Sequence, residues 1–181
     1  MAVASILVGK PEWIGLLPGT KLLATNMFEL NNDGRKVGNI SGLLKSVSWL
    51  FQENVHIMNL SFAGAVHKVM RKVFVSFHNQ KCFMVAAVWI WGGSDVPAFT
   101  AAYKGVTGVT RINDHGLAYA TTNSGKFVIF ATLGVRVFTA GSGGRGRLRI
   151  GASFAAAFNT AVMGLEISKG RAKQPLHLPQ P

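Results

Sequence analysis

Short apolar runs alternate with helix-length amphipathic segments along most of this chain. A run of four to eight apolar residues indicates a strand, and apolar residues at 3.6-residue spacing indicate a helix. Such alternation is typical of β-α units around a mostly parallel sheet, so the predicted fold class is α/β. Strands are predicted at residues 21–28, 55–61, 81–88, 106–112, 127–130 and 135–139.

Three longer segments carry the helical pattern. The first begins at a cap residue, Asn39 or Ser41, runs to about Glu53, and places one apolar face at helical spacing. The second spans about Ala65 to His78, and the third runs from Ser153 to about Ile167. The run from Lys81 to Val88 is apolar almost without interruption, which predicts a strand covered on both faces.

Composition favours one compact domain with a basic surface. The chain has 181 residues, 49% of them hydrophobic, and a net charge of +12. This charge permits contact with an acidic partner, with nucleic acid or with an anionic membrane, but it does not determine the fold. The densest basic runs, at 145–149 and 169–173, lack the interleaved aromatic residues of a single-strand binding groove, which disfavours nucleic-acid binding.

The sequence predicts neither a metal site nor a cofactor. Cys82 is the single cysteine and lies in an apolar run, so it is interpreted as a buried structural thiol. The five histidines have no zinc-ligand spacing. The longest apolar stretch, residues 82–92, reaches about half of a membrane span, so no transmembrane segment is predicted.

Ser153 stands in a segment that begins Gly151-Ala152-Ser153 and continues with small residues into a helix. This segment resembles the nucleophile segment of the subtilisin-like serine proteases (subtilases, peptidase family S8). Five further segments resemble motifs of that family in the family's order. They lie at residues 15–22, 59–64, 85–87, 101–109 and 130–134.

The resemblance covers Ala2 to about Leu165 and implies a subtilisin-like three-layer α/β/α domain at residues 1–168. A basic, Pro-rich tail at 169–181 is predicted to be disordered. By resemblance the activity is serine endopeptidase, with Ser153 as the nucleophile and a peptide or protein as the substrate. The implied substrate-binding residues are Ser61, Phe62, Ala63 and Gly64.

Two departures from the family weaken the predicted activity. Residues 2–9 resemble the helix that follows the family's catalytic histidine, so the chain is expected to lack the family's Asp and His segments and the sheet to be incomplete at the N-terminus. Ile90 stands where the family has the oxyanion Asn, between Trp89 and Trp91. Isoleucine donates no hydrogen bond, and losing such a donor costs roughly 2.7 to 4 kcal/mol of transition-state stabilisation. We therefore expect no peptidase activity from this chain.

Three hypotheses follow. The first is a partial, degenerate subtilase, whose unpaired sheet edges would favour self-association. The second is a non-catalytic pseudoprotease that binds peptides or an acidic partner. The third is a basic protein that binds nucleic acid or a membrane surface through Arg145, Arg147 and Arg149. Subtilases are commonly exported, while no signal peptide is recognised in this chain, so its compartment stays open.

Overall fold

A computed structural model describes residues 1–13, 15–88, 99–118 and 125–172. The chain divides into two compact units, one formed by Lys21–His56 and the other by the residues on either side of that segment. The described residues form four α-helices and eight strands. In chain order these are α1 (Ala2–Val8), β1 (Phe28–Leu30), β2 (Lys36–Gly38), α2 (Ile40–Gln52), β3 (Ile57–Leu60), α3 (Lys68–Asn79), β4 (Phe83–Ala87), β5 (Val106–Ile112), β6 (Val128–Leu133), β7 (Val137–Ala140), β8 (Gly146–Arg149) and α4 (Ala152–Ser168).

A four-stranded parallel sheet forms the centre of the larger unit. Its strand order is β3-β4-β5-β6, so β3 stands at one end of the sheet. Ile57 of β3 pairs with Phe83 of β4, and Met84 of β4 pairs with Val106 of β5. The predicted α/β class with a mostly parallel sheet is confirmed.

The sheet is buried because α4 packs closely against it. All five residues of β4 are buried, as expected for a parallel strand covered on both faces. Val85 and Ala87 of β4 lie in one apolar cluster with Val109 of β5 and three alanines of α4, residues 152, 155 and 156. Alanine at these positions allows the helix axis to lie close to the strands.

A second apolar cluster joins the same helix to the start of the chain. Ala157 and Ala161 of α4 pack with Ile6 and Leu7 of α1 and with Val137 of β7. Ser5 adds a polar tie, since its hydroxyl accepts a hydrogen bond of 3.1 Å from the Ala140 backbone N–H. Helix α4 is thus anchored on two sides. None of the described helices is both long enough and apolar enough to cross a membrane.

The predicted strand at 135–139 is present as β7, but its antiparallel partner β8 was not predicted. Val137 pairs with Arg149, and Phe138 pairs with Leu148. The sequence of β8 does not indicate a strand, because arginines alternate with Gly146, Leu148 and Ile150 and interrupt any apolar run. The turn between the two strands, Ser142–Gly144, has positive φ at Gly143 and Gly144, a conformation that glycine adopts without strain.

The strand predicted at 21–28 is wrong. Residues 21–27 have no strand structure, and β1 begins only at Phe28, where it pairs with β2 in a separate two-stranded hairpin. Lys21 and Leu22 are exposed. An extended segment becomes a strand only when a neighbour satisfies its backbone groups, and composition alone does not supply that neighbour.

The helix predicted to follow in the same unit is confirmed. α2 begins after Asn39, whose side chain accepts a 2.6 Å hydrogen bond from the Gly42 N–H, and it ends at Gln52. This cap satisfies one of the backbone donors that every helix leaves free at its first turn. Leu43 and Val47, from the predicted apolar face, are buried.

The helix predicted from Ala65 begins three residues later, at Lys68. The residues before it are held in extended backbone by two contacts. Gly64 N–H donates to Phe99 O, and His67 N–H donates to the Tyr103 hydroxyl at 2.8 Å. These contacts delay the start of α3, and His67 directly before the helix has extended backbone angles.

Candidate functional site

Ser153 lies in the first turn of α4, and the approach to that turn is tightly built. Gly151 precedes the helix, and its N–H donates a 2.9 Å hydrogen bond to Gly134 O. A Cβ on Gly134 would lie 2.6 Å from the Arg111 Cβ and 3.0 Å from Gly151 O, so a side chain at residue 134 would force these segments apart. The two glycines therefore determine where the helix begins and place Ser153 beside β3.

The hydroxyls of Ser153 and Ser61 each approach the other residue's carbonyl. Ser153 Oγ donates to Ser61 O at 3.5 Å, and Ser61 Oγ donates to Ser153 O at 3.3 Å. Both distances are long for hydroxyl hydrogen bonds, so the contacts are weak. The structure thus brings together the predicted nucleophile and the first predicted substrate-binding residue, although they are 92 positions apart.

A chain of polar side chains holds this pair in place. Asn59 Nδ2 donates to Ser61 Oγ at 2.8 Å, and Thr160 Oγ1 lies 3.1 Å from Asn59 Oδ1. Thr160 also lies 2.8 Å from Ala156 O, within its own helix. Sequence reasoning missed Thr160. The available signal was its position seven residues after Ser153, which places both on the same face of α4.

The predicted substrate-binding residues form one extended segment. Ser61, Phe62 and Ala63 are half-buried, and Gly64 is exposed and pairs with Phe99 through an isolated antiparallel bridge. Of these four residues, Ser61 is the one that forms hydrogen bonds with Ser153 in the described part of the chain. Ile90 and its two neighbouring tryptophans lie outside the described residues, so the predicted oxyanion position stays a prediction.

No described residue supplies a base to Ser153. The Ser153 hydroxyl donates its hydrogen bond to the backbone carbonyl of Ser61. In the described ranges no imidazole or carboxylate forms a hydrogen bond with this hydroxyl. His67 lies at the start of α3 beside Tyr103, and His115 is exposed, 3.9 Å from Asp114. The described part of the chain also contains no group of three or more side chains able to hold a metal ion.

Cys82 is buried directly before β4, in agreement with its interpretation as a structural residue. Burial raises the pKa of its thiol from 9.0 to about 12, because desolvation disfavours the thiolate. The thiolate is the reactive form of cysteine. In the folded protein Cys82 should therefore resist alkylation.

This shift predicts a loss of stability at alkaline pH. Because the folded-state pKa is raised, the contribution of Cys82 is fully present below about pH 9 and is lost as pH rises toward 12. Between about pH 8 and about pH 10.5, ionisation of Cys82 should lower the free energy of unfolding by roughly 2 kcal/mol. Comparing urea denaturation of the parent and of Cys82→Ala at both pH values isolates this contribution. Equal pH dependence in the two proteins would contradict it.

Two solved structures of the protease domain of PatA are similar to this chain. A serine-to-alanine mutant of that domain gives a TM-score of 0.82 at 24% identity, over 96% of this chain and 67% of that one. The self-cleaved domain gives a TM-score of 0.81 at 25% identity, over 96% of this chain and 69% of that one. No family model and no curated protein matches the sequence. The likeness establishes the subtilisin-like protease-domain fold.

Proposed function

We propose that Ser153 occupies the nucleophile position of a degenerate subtilisin-like serine peptidase site, and that the 181-residue polypeptide does not itself hydrolyse peptide bonds. The observation that carries this proposal is the partner of the Ser153 hydroxyl. That partner is the carbonyl of Ser61, at 3.5 Å, where a serine peptidase requires a basic nitrogen.

The chemistry follows from proton affinity. A serine hydroxyl becomes a useful nucleophile only when a positioned base takes its proton. An amide carbonyl accepts a hydrogen bond but does not take the proton at neutral pH. Removing the base from such a site leaves only about 10³- to 10⁴-fold catalysis over water, and this remainder depends on the oxyanion hole and on binding. Ile90 would weaken the oxyanion contribution as well.

The second candidate function is that of a non-catalytic module that binds peptides. The antiparallel bridge between Gly64 and Phe99 favours it, since it shows that the backbone at the end of the segment from Ser61 to Gly64 is able to pair in the manner of a strand. A fold of this class can keep a substrate-binding strand after it has lost its chemistry. Retention of peptide binding without turnover would distinguish this function from a peptidase.

The hydrolysis prediction is tested by comparing the chain with its Ser153→Ala variant. We expect no difference between them on fluorogenic peptides or on an unfolded protein substrate, because no described residue gives the Ser153 hydroxyl a basic hydrogen-bond partner. We also expect that a fluorophosphonate probe labels the parent no more than it labels Ser153→Ala. Turnover or labelling that disappears in Ser153→Ala would overturn the proposed inactivity and support a working peptidase.

The same two proteins test peptide binding. Isothermal titration with a pool of unstructured peptides should give similar heats with the parent and with Ser153→Ala, since the hydroxyl is not required for backbone pairing. Gly64→Pro removes the N–H that bonds to Phe99 and should weaken binding if the segment is the binding strand. Binding unaffected by Gly64→Pro would exclude this segment as the binding strand.

A further inference from the structure

Strand β8 presents a different chemistry on each of its faces. Arg147 and Arg149 alternate with Leu148, so the arginines point to one face and the leucine to the other. Leu148 is 58% exposed, and Ile150, directly after the strand, is 53% exposed. One side of β8 is therefore cationic and the other is apolar.

The apolar side continues onto β7. Phe138 lies opposite Leu148, is 58% exposed, and stacks on Trp13 with ring centroids 5.9 Å apart. The Phe138 ring also covers Gly146, where a Cβ would lie 2.0 Å from the ring carbon Cζ. We call the set formed by Phe138, Leu148 and Ile150 the hairpin apolar surface.

The outer edge of β8 carries backbone groups that no described residue engages. Gly141 N–H donates to Arg145 O, so the pairs that exchange hydrogen bonds with β7 are Thr139 with Arg147 and Val137 with Arg149. The alternation turns the N–H and C=O groups of Gly146, Leu148 and Ile150 away from β7. Such an edge is a template for a further strand.

We propose that this edge binds an extended peptide in which acidic and apolar residues alternate. The peptide backbone would pair with Gly146, Leu148 and Ile150, as in other cases of strand addition. Its carboxylates would lie on the face of Arg147 and Arg149, and its apolar side chains would extend the hairpin apolar surface. Arg147 is exposed, so its guanidinium is open to a peptide carboxylate.

The charge of the hairpin selects an acidic peptide over a second copy of this chain. No Asp or Glu occurs between Asp114 and Glu166. Two β8 strands paired edge to edge about a two-fold axis would place arginines opposite arginines, and like charges in directly opposed positions destabilise a sheet. A peptide with glutamate at alternate positions turns the same contacts into attractive ones.

The test measures fluorescence anisotropy with a labelled nonapeptide that alternates Glu and Val. A peptide of equal composition with Glu and Val in separate blocks, and one with Lys in place of Glu, serve as comparisons. We expect the alternating acidic peptide to bind at least about tenfold more tightly than either, because only it matches both faces at once. N-methylation of the peptide residues whose backbone N–H groups point toward β8 should abolish binding. N-methylation of the intervening residues, whose N–H groups point away from β8, should not.

Variants of the protein test both parts of the surface. Arg147→Glu should weaken binding by about tenfold or more, whereas Lys72→Glu, the same charge change on α3, should have little effect. Leu148→Pro removes an outward N–H without touching the β7 bonds and should weaken binding more than Leu148→Ala. Ser153→Ala should bind like the parent, which separates this inference from the proposed function of Ser153. Thermal melts confirm that each variant is folded.

Four results would overturn the proposal. The first is an equal loss of peptide affinity in Arg147→Glu and Lys72→Glu, and the second is equal binding of the block and alternating peptides. The third is binding to phosphatidylserine vesicles but not to the peptide. The fourth is dimerisation of the free chain that Leu148→Pro abolishes. The third result would indicate a membrane surface, and the fourth a second copy.

Discussion

Replacing Phe74 with alanine should lower the free energy of unfolding by about 3 to 5 kcal/mol. Phe74 lies on α3 and is 1% exposed, and its ring centroid is 5.1 Å from that of Tyr103. The substitution removes the buried ring and leaves a cavity that the surrounding helix and loop cannot fully close. Urea denaturation monitored by circular dichroism measures the loss.

Phe138→Ala is the matched control, because the same atoms are removed from a ring that is 58% exposed. Phe138→Ala should lower the free energy of unfolding by less than about 1 kcal/mol, because folding buries little of the apolar area of this ring. Equal losses in the two variants would contradict the assignment of Phe74 to the core.

The Phe74 variant should also loosen the approach to α3. Tyr103 packs on Phe74 and on Phe99, and its hydroxyl accepts the N–H of His67, the residue directly before α3. Without the ring of Phe74, the Tyr103 ring loses an aromatic neighbour. We expect faster amide exchange at His67 in Phe74→Ala than in Phe138→Ala.

Gly108→Ala should destabilise the chain by about 3 kcal/mol, at the upper end of the usual cost of overpacking. A Cβ on Gly108 would lie 2.0 Å from Phe127 O, which is a backbone atom and cannot rotate away. The clash falls where the pairing of β5 with β6 shifts register, between Gly108 and Val109. Relief of the clash requires the two strands to separate.

The control for Gly108→Ala is Gly19→Ala, because no atom lies within 4 Å of the Cβ position on Gly19. This change should leave the thermal midpoint within a few degrees of the parent, whereas Gly108→Ala should lower it by about 6 °C or more. A midpoint for Gly108→Ala close to that of Gly19→Ala would show that the β5–β6 edge is not closely packed.

The central elements were predictable because their local pattern and their tertiary role agree. β5 occupies residues 106–112 as predicted, since a run rich in β-branched residues also happens to be buried between two strands. α4 matches its predicted span to within one residue at each end, because its small residues suit both a helix and close packing on the sheet. In both cases local propensity and burial favour the same structure.

The errors arise where pairing decides the structure. Residues 21–27 have the composition of a strand but no strand neighbour, and β8 has a neighbour although its arginines do not suggest a buried strand. Hydrogen bonding to a partner strand depends on residues outside the segment itself, even when the partner is the neighbouring arm of a hairpin. The pattern of one segment therefore does not reveal whether it is paired.

The candidate site was predictable through motif resemblance and not through periodicity. Ser153 and Ser61 were identified from their motifs, and the structure places them in contact. Thr160 lies in none of the segments that resemble family motifs. It takes part in the site because Asn59 on β3 faces that turn of α4. This pairing of helix with strand becomes visible only in three dimensions.

Helix α4 carries Ser153 at its start and takes part in both apolar clusters along its length. Any motion that carries Ser153 away from Ser61 must therefore extract buried alanines from two sides of the unit. Local opening at that position should consequently have a free energy close to that of global unfolding. The arrangement of the Ser153 and Ser61 hydroxyls should therefore persist for as long as this unit stays folded.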